Sequence, residues 1–161
     1  MSVSHTLLAA YYYGPAIAAL LFVLIMSRVP EPARRTFNAI FVAGTCGVYL
    51  SGGFGVWELA YPAVALPVVY AGLRSYRFIG IAWLMHAAWD LAHHLWGQPI
   101  WPFMPTSSLG CLIFDALIAI WFLAGAPATN RHARSGLGVV TSSVYVRDAR
   151  PDYRVSEERG K

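Results

Sequence analysis

Five stretches of the chain are almost purely apolar, and short polar segments separate them. They cover about 7–26, 36–54, 56–73, 78–95 and 109–123. Each is close to the roughly 20 residues that a helix needs to cross about 30 Å of hydrocarbon. The third and fifth are a little short, and Pro62 and Pro67 predict a kink in the third. A soluble helical bundle would carry polar stripes along its helices, and these segments lack them. The pattern predicts an all-α fold: a polytopic membrane protein whose residues 1–126 form a bundle of about five transmembrane helices. Past that point the chain turns polar. "TNRHARSGLGVV" leads into the mostly charged "TSSVYVRDARPDYRVSEERGK", with a short strand predicted over 143–146. Residues 127–161 read as a cytoplasmic C-terminal tail, flexible or docked on a partner.

The arginines give an orientation. Arg28, Arg34 and Arg35 follow the first span, Arg74 and Arg77 follow the third, and Arg131 and Arg134 open the tail. The N-terminus, the "SGGFG" turn and the loop "GQPIWPFMPTSS" have neither Lys nor Arg. Basic loops stay on the cytoplasmic side, so the N-terminus is expected outside and the C-terminus inside a bacterial cytoplasmic (inner) membrane. Tyr11, Tyr12, Tyr13, Trp57, Trp96 and Trp101 fall near the outer ends of spans, where aromatic belts lie.

Composition agrees with this picture. Of 161 residues 57% are hydrophobic and 12% charged, about half the charged share of a soluble domain. The net charge of +4 comes from one lysine and eleven arginines confined to loops and tail, so no nucleic-acid partner is implied. Cys46 and Cys111 both lie in apolar segments, which argues against a disulfide framework. "MSVSHTLLAA" lacks a basic start and reads as a retained span rather than a signal peptide.

One apolar span breaks the pattern. "HAAWDLAHHLW" places three of the five histidines and an aspartate within nine residues. On a wheel of about 100° per residue with His86 at zero, Asp90 falls near 40°, His93 near 340° and His94 near 80°. All four share one face. Ionisable groups inside a membrane are costly unless paired or hydrated, so this stripe should look into the bundle or a wet cavity. The plain alternative is an interhelical network that only fixes packing. Cys111 and Asp115, four apart on the fifth span, arrive from the same side, and Glu58 lies in the first turn of the third.

Imidazole, carboxylate and thiolate together suit a transition metal: zinc, iron, manganese or copper. His86, Asp90, His93, His94, Asp115 and Cys111 are the candidate ligands, with Glu58 or an uncoordinated His86 as the catalytic proton carrier. His86 and His93 stand about 10 Å apart along the axis, so one ion does not take both with Asp90 unless the helix bends. The spacing is not the HExxH of zinc proteases, and membrane desaturases and hydroxylases carry several histidine boxes where this chain has one. The loop with Pro99, Pro102 and Pro105 is stiff, and Thr106, Ser107 or Ser108 is expected to cap the fifth span.

The stretch from "GFGVWELAY" through "HAAWDLAHHLW" to "PTSSLGCLIFD", roughly 53–126, resembles a family of small bacterial integral membrane proteins of unknown function. Its members carry the same HxxWDxxHH box, proline-rich loop and SSxGC element followed by Asp. The resemblance implies that Glu58, His86, Asp90, His93, His94, Cys111 and Asp115 act as one set, and it implies no substrate. Two functions fit: a metal-dependent enzyme on a lipid-soluble substrate, or an accessory subunit of a respiratory or photosynthetic membrane complex. In the second, the histidines bind a cofactor such as haem or chlorophyll, or only pack. Partners are the lipid bilayer and a membrane protein or a second copy. A transporter ranks last, because no polar stripe continues to the cytoplasmic side.

Overall fold

The computed structural model describes residues 3–49 and 53–129, with side chains from Tyr11 onward. Within them five helices follow in order: α1 Val3–Met26, α2 Ala33–Thr45, α3 Trp57–Gly72, α4 Tyr76–Trp96 and α5 Ser107–Leu123. The only β pairing among the described residues is an isolated bridge between Trp101 and Met104. The all-α expectation therefore holds for these residues. The strand expected over 143–146 lies outside them.

Helix lengths differ from the expected spans. α2, α3 and α5 have 13, 16 and 17 residues, below the roughly 20 that a crossing needs. α4 has 21 but carries the His/Asp stripe. Among the described residues no helix is long and apolar enough to cross a membrane.

The largest change is in α2. Apolar sequence continues to Phe54, yet the α-helix ends at Thr45. Gly44 and Gly47 weaken it there. The backbone tightens into i→i+3 bonds, with Cys46 N–H donating to Ala43 O and Val48 N–H to Thr45 O. This turn carries Tyr49, which is buried. α3, by contrast, continues through both Pro62 and Pro67.

α4 is the centre of the bundle. It packs on α2, α3 and α5, and α1 packs on α5. Ile79 and Trp83 of α4 interlock with Ile118 and Phe122 of α5, joined by Val42 of α2 and Ala19 of α1. Gly80 lets the two central helices meet, since a Cβ there would lie 2.8 Å from Leu123 Cγ and 3.0 Å from its backbone N.

A polar lock ties the start of α2 to the start of α4. Arg34, expected in a solvated basic loop, is buried in the first turn of α2. Its Nε donates to the Tyr76 hydroxyl (2.8 Å) and its Nη2 to Glu31 Oε1 (2.9 Å), while Tyr76 donates to the same carboxylate. Partial burial pushes the Glu31 carboxyl up, but the hydrogen bonds from Tyr76 and Arg34 outweigh it and hold the group below its ordinary value.

Candidate metal centre

The HAAWDLAHH face of α4 turns inward. His86, Asp90 and His93 are buried on it, and Glu58 of α3 and Asp115 of α5 join them, all at most 3% exposed. They divide into two groups.

The first group is His86, Asp90 and Asp115. One ligand atom of each lies within 4.8 Å of the others. His86 Nδ1 stands 2.8 Å from Asp115 Oδ2 and 3.3 Å from Asp90 Oδ2. The other ring nitrogen, Nε2, lies 2.9 Å from the carbonyl oxygen of Thr45. A carbonyl only accepts, so Nε2 carries a proton and donates it. That fixes the ring and turns Nδ1 towards both carboxylates. The early end of α2 makes this possible, because it leaves the Thr45 carbonyl facing α4.

Asp90 is held from its other oxygen. The Tyr49 hydroxyl donates to Asp90 Oδ1 (2.9 Å) and lies 2.9 Å from Ser108 Oγ, which donates back to it. Ser108 therefore serves the site rather than the helix end. No side chain caps α5, and the Ser107 hydroxyl instead accepts from Trp101 N–H.

The second group is Glu58 with His93. His93 Nε2 is 3.3 Å from both carboxylate oxygens, and Glu58 Oε1 also accepts from Phe54 N–H (3.0 Å). The His93 ring stacks on Tyr49 with centroids 3.7 Å apart and an 11° tilt. Its Nδ1 has no partner among the described residues and is covered by Gly97, where a Cβ would sit only 2.6 Å away. Tyr49 thus touches both groups, one through its hydroxyl and the other through its ring.

Two expected ligands stand apart. His94 is exposed, because at the margin of the wheel's polar arc it passes the bundle interior. Cys111 is half-buried, one helical turn before Asp115, and lines a cavity of about 630 Å³. His86 and Asp115 reach the same cavity, whose other walls include Phe41, Trp83, Trp101 and Met104.

Sequence reasoning missed Tyr49 and Thr45 and assigned Ser108 to capping. Aromatic belts accounted for tyrosines near span ends, and a backbone carbonyl leaves no mark in a sequence. The "GTCGVY" run did hold a signal, since two glycines within an apolar span mark a break in the helix.

The described residues define five helices around a buried His/Asp/Asp centre beside an apolar cavity. A family model matches residues 10–128, and the chain belongs to that family of unknown function (DUF6010). The match extends the recognised region back through α1 and α2, so Thr45 and Tyr49 fall inside it. No curated protein and no solved structure matches the chain at a significant level.

Proposed function

We propose that His86, Asp90 and Asp115 hold a divalent transition-metal ion, and that the protein is a metal-dependent enzyme acting on a lipid-soluble substrate. The observation that carries the reading is the set of separations at His86 Nδ1, 2.8 and 3.3 Å to the two carboxylates. Donors bound at about 2.1 Å to one ion are spaced by about 3.0–3.4 Å. The outer contacts suit a ligand set too. Metal-bound imidazole commonly donates its second N–H to a carbonyl, and ligating carboxylates accept further hydrogen bonds. Thr45 and Tyr49 supply both. One histidine and two carboxylates match zinc, iron or manganese better than copper, and such an ion activates water or polarises an oxygen. Glu58 and His93, one contact away through Tyr49, are placed to exchange protons with the site.

We place the bundle in a bacterial inner membrane, with the arginine-bearing end inside. Support comes from its outward faces, where Ile17, Leu20, Leu21, Ile40, Leu59 and Ile120 are exposed. Apolar cover of that extent marks a lipid or protein contact. The short α2 and α3 are accommodated by local thinning or by neighbours in the membrane.

A second reading, an accessory subunit of a membrane complex, is favoured by an outward-facing groove of about 550 Å³ between α3 and α4, lined by Trp57, Tyr61 and Trp89. Haem or chlorophyll stands second to a metal here, because both inward histidines already face carboxylates.

Element analysis of the purified protein, with Asp115→Asn beside it, tests the metal centre. We expect close to one equivalent of one transition metal, lost in the variant. Less than about 0.1 equivalent in the native protein overturns the reading, since a site of this kind binds tightly enough to survive purification.

A further inference from the structure

The cavity beside the metal centre is mostly apolar, with Phe41, Trp83, Ile100, Met104 and Phe114 among its walls, and its polar lining includes His86, Asp115, Cys111, Thr45, Thr106 and Ser107. Its volume, about 630 Å³, is that of a site for one small organic molecule. No Lys or Arg is among the described residues that line it.

Charge decides which molecule fits. A divalent ion on His86, Asp90 and Asp115 is neutralised by the two carboxylates, and without the ion the same residues carry no excess positive charge. Either way nothing that lines the cavity offsets an anionic head group in an apolar surround. A cationic head would meet an already balanced centre. The geometry points to a neutral-headed amphiphile, an uncharged alcohol or carbonyl on an aliphatic chain, with its oxygen at His86 and Asp115 and its chain against Trp83, Phe114 and Met104. The inference rests on the metal-centre reading and names its substrate class.

The test uses the full chain in phosphatidylcholine nanodiscs, with ω-bromoundecanol as probe and ω-bromoundecanoate as its charged counterpart at about pH 9, where the carboxylate is ionised. Bromine quenches a tryptophan only on contact, and Trp83 and Trp101 both line the cavity. We expect saturable quenching by the alcohol, at least about tenfold tighter than by the carboxylate, a difference of about 1.4 kcal/mol. Gly110 also lines the cavity, and a Cβ there would meet only Pro15 Cγ at 3.4 Å. Gly110→Leu should therefore fill the space, abolish the saturable component and leave the metal content unchanged. Equal affinity for both probes, no saturable component, or full binding in Gly110→Leu overturns the inference. If that variant does not fold, the comparison of the two probes on the native chain decides. Alcohol binding without any metal overturns the metal centre alone, and a full complement of metal without alcohol binding overturns the cavity assignment alone.

Discussion

Replacing Tyr49 by phenylalanine removes one oxygen and little else. The ring stays on His93, with its centroid 3.7 Å away, so the stacking contribution is retained. The lost hydroxyl donates to Asp90 Oδ1 and meets Ser108 Oγ, both at 2.9 Å. Asp90 and Ser108 are fully buried, so water does not take its place. A hydrogen bond to a charged group contributes about 1.5–3 kcal/mol. Contacts that orient metal ligands from behind change metal affinity by about 10–100-fold, which is about 1.4–2.8 kcal/mol. The two estimates agree, so Tyr49→Phe should weaken metal binding by one to two orders of magnitude. Competition against a fluorescent chelator measures it, and a thermal unfolding curve without metal separates lost stability from lost affinity. A change below about threefold, or 0.7 kcal/mol, would refute the claim that Tyr49 positions Asp90 as a ligand.

Three further changes probe the surroundings. Gly97→Ala puts a Cβ 2.6 Å from His93 Nδ1, and such overpacking costs about 1–3 kcal/mol. Its unfolding midpoint should fall, and an unchanged midpoint would mean that His93 is not held against Gly97. His94→Ala should leave metal content unaltered and stability within about 0.5 kcal/mol, because the side chain is exposed. Loss of metal in that variant would return His94 to the ligand set. At the other end of the bundle, the Glu31 carboxyl lies below its ordinary value of 4.5, so its contribution is complete above that pH and disappears as pH falls through the lower, folded value. The group is 41% exposed, so the contribution is screened to below about 1 kcal/mol. Glu31→Gln should flatten acid unfolding in that window, and a variant as acid-sensitive as the native chain would exclude the Arg34–Glu31–Tyr76 lock as the cause.

Periodicity reveals whatever one helix decides for itself. The inward face of α4 was legible because His86, Asp90 and His93 recur at spacings that only a helix brings together, and Asp115 was legible at a matching depth. His94 sits at the edge of that face: its angle on the helix is set by sequence, but where the buried arc ends depends on how α3 and α5 pack against α4. The end of α2 was hidden for another reason. Apolar residues continue through Cys46, Val48, Tyr49 and Leu50, while the chain turns at Gly44 and Gly47 and sends Tyr49 inward. A backbone carbonyl and a tyrosine from that turn then complete the contacts of His86 and Asp90. Arg34 likewise reads as a loop charge until Tyr76, 42 positions later, supplies a buried partner.

The two histidine–carboxylate groups look alike in composition, and charge separates them. Glu58 and His93 form a pair of one carboxylate and one imidazole, so a single proton on the ring balances the charge. His86 faces two carboxylates, Asp90 and Asp115, and has already committed one ring N–H to Thr45. A proton at Nδ1 still leaves one negative charge, which costs several kcal/mol in an apolar interior unless a carboxylate takes a second proton or a cation offsets it. A divalent cation at Nδ1 brings the sum to zero and uses both carboxylates at once. The same count predicts that metal binds the first group and not the second, and that the second stays free to carry a proton. It also accounts for Tyr49 between them. Its hydroxyl holds Asp90 and its ring packs on His93, so one side chain joins the group proposed to bind an ion to the Glu58–His93 pair.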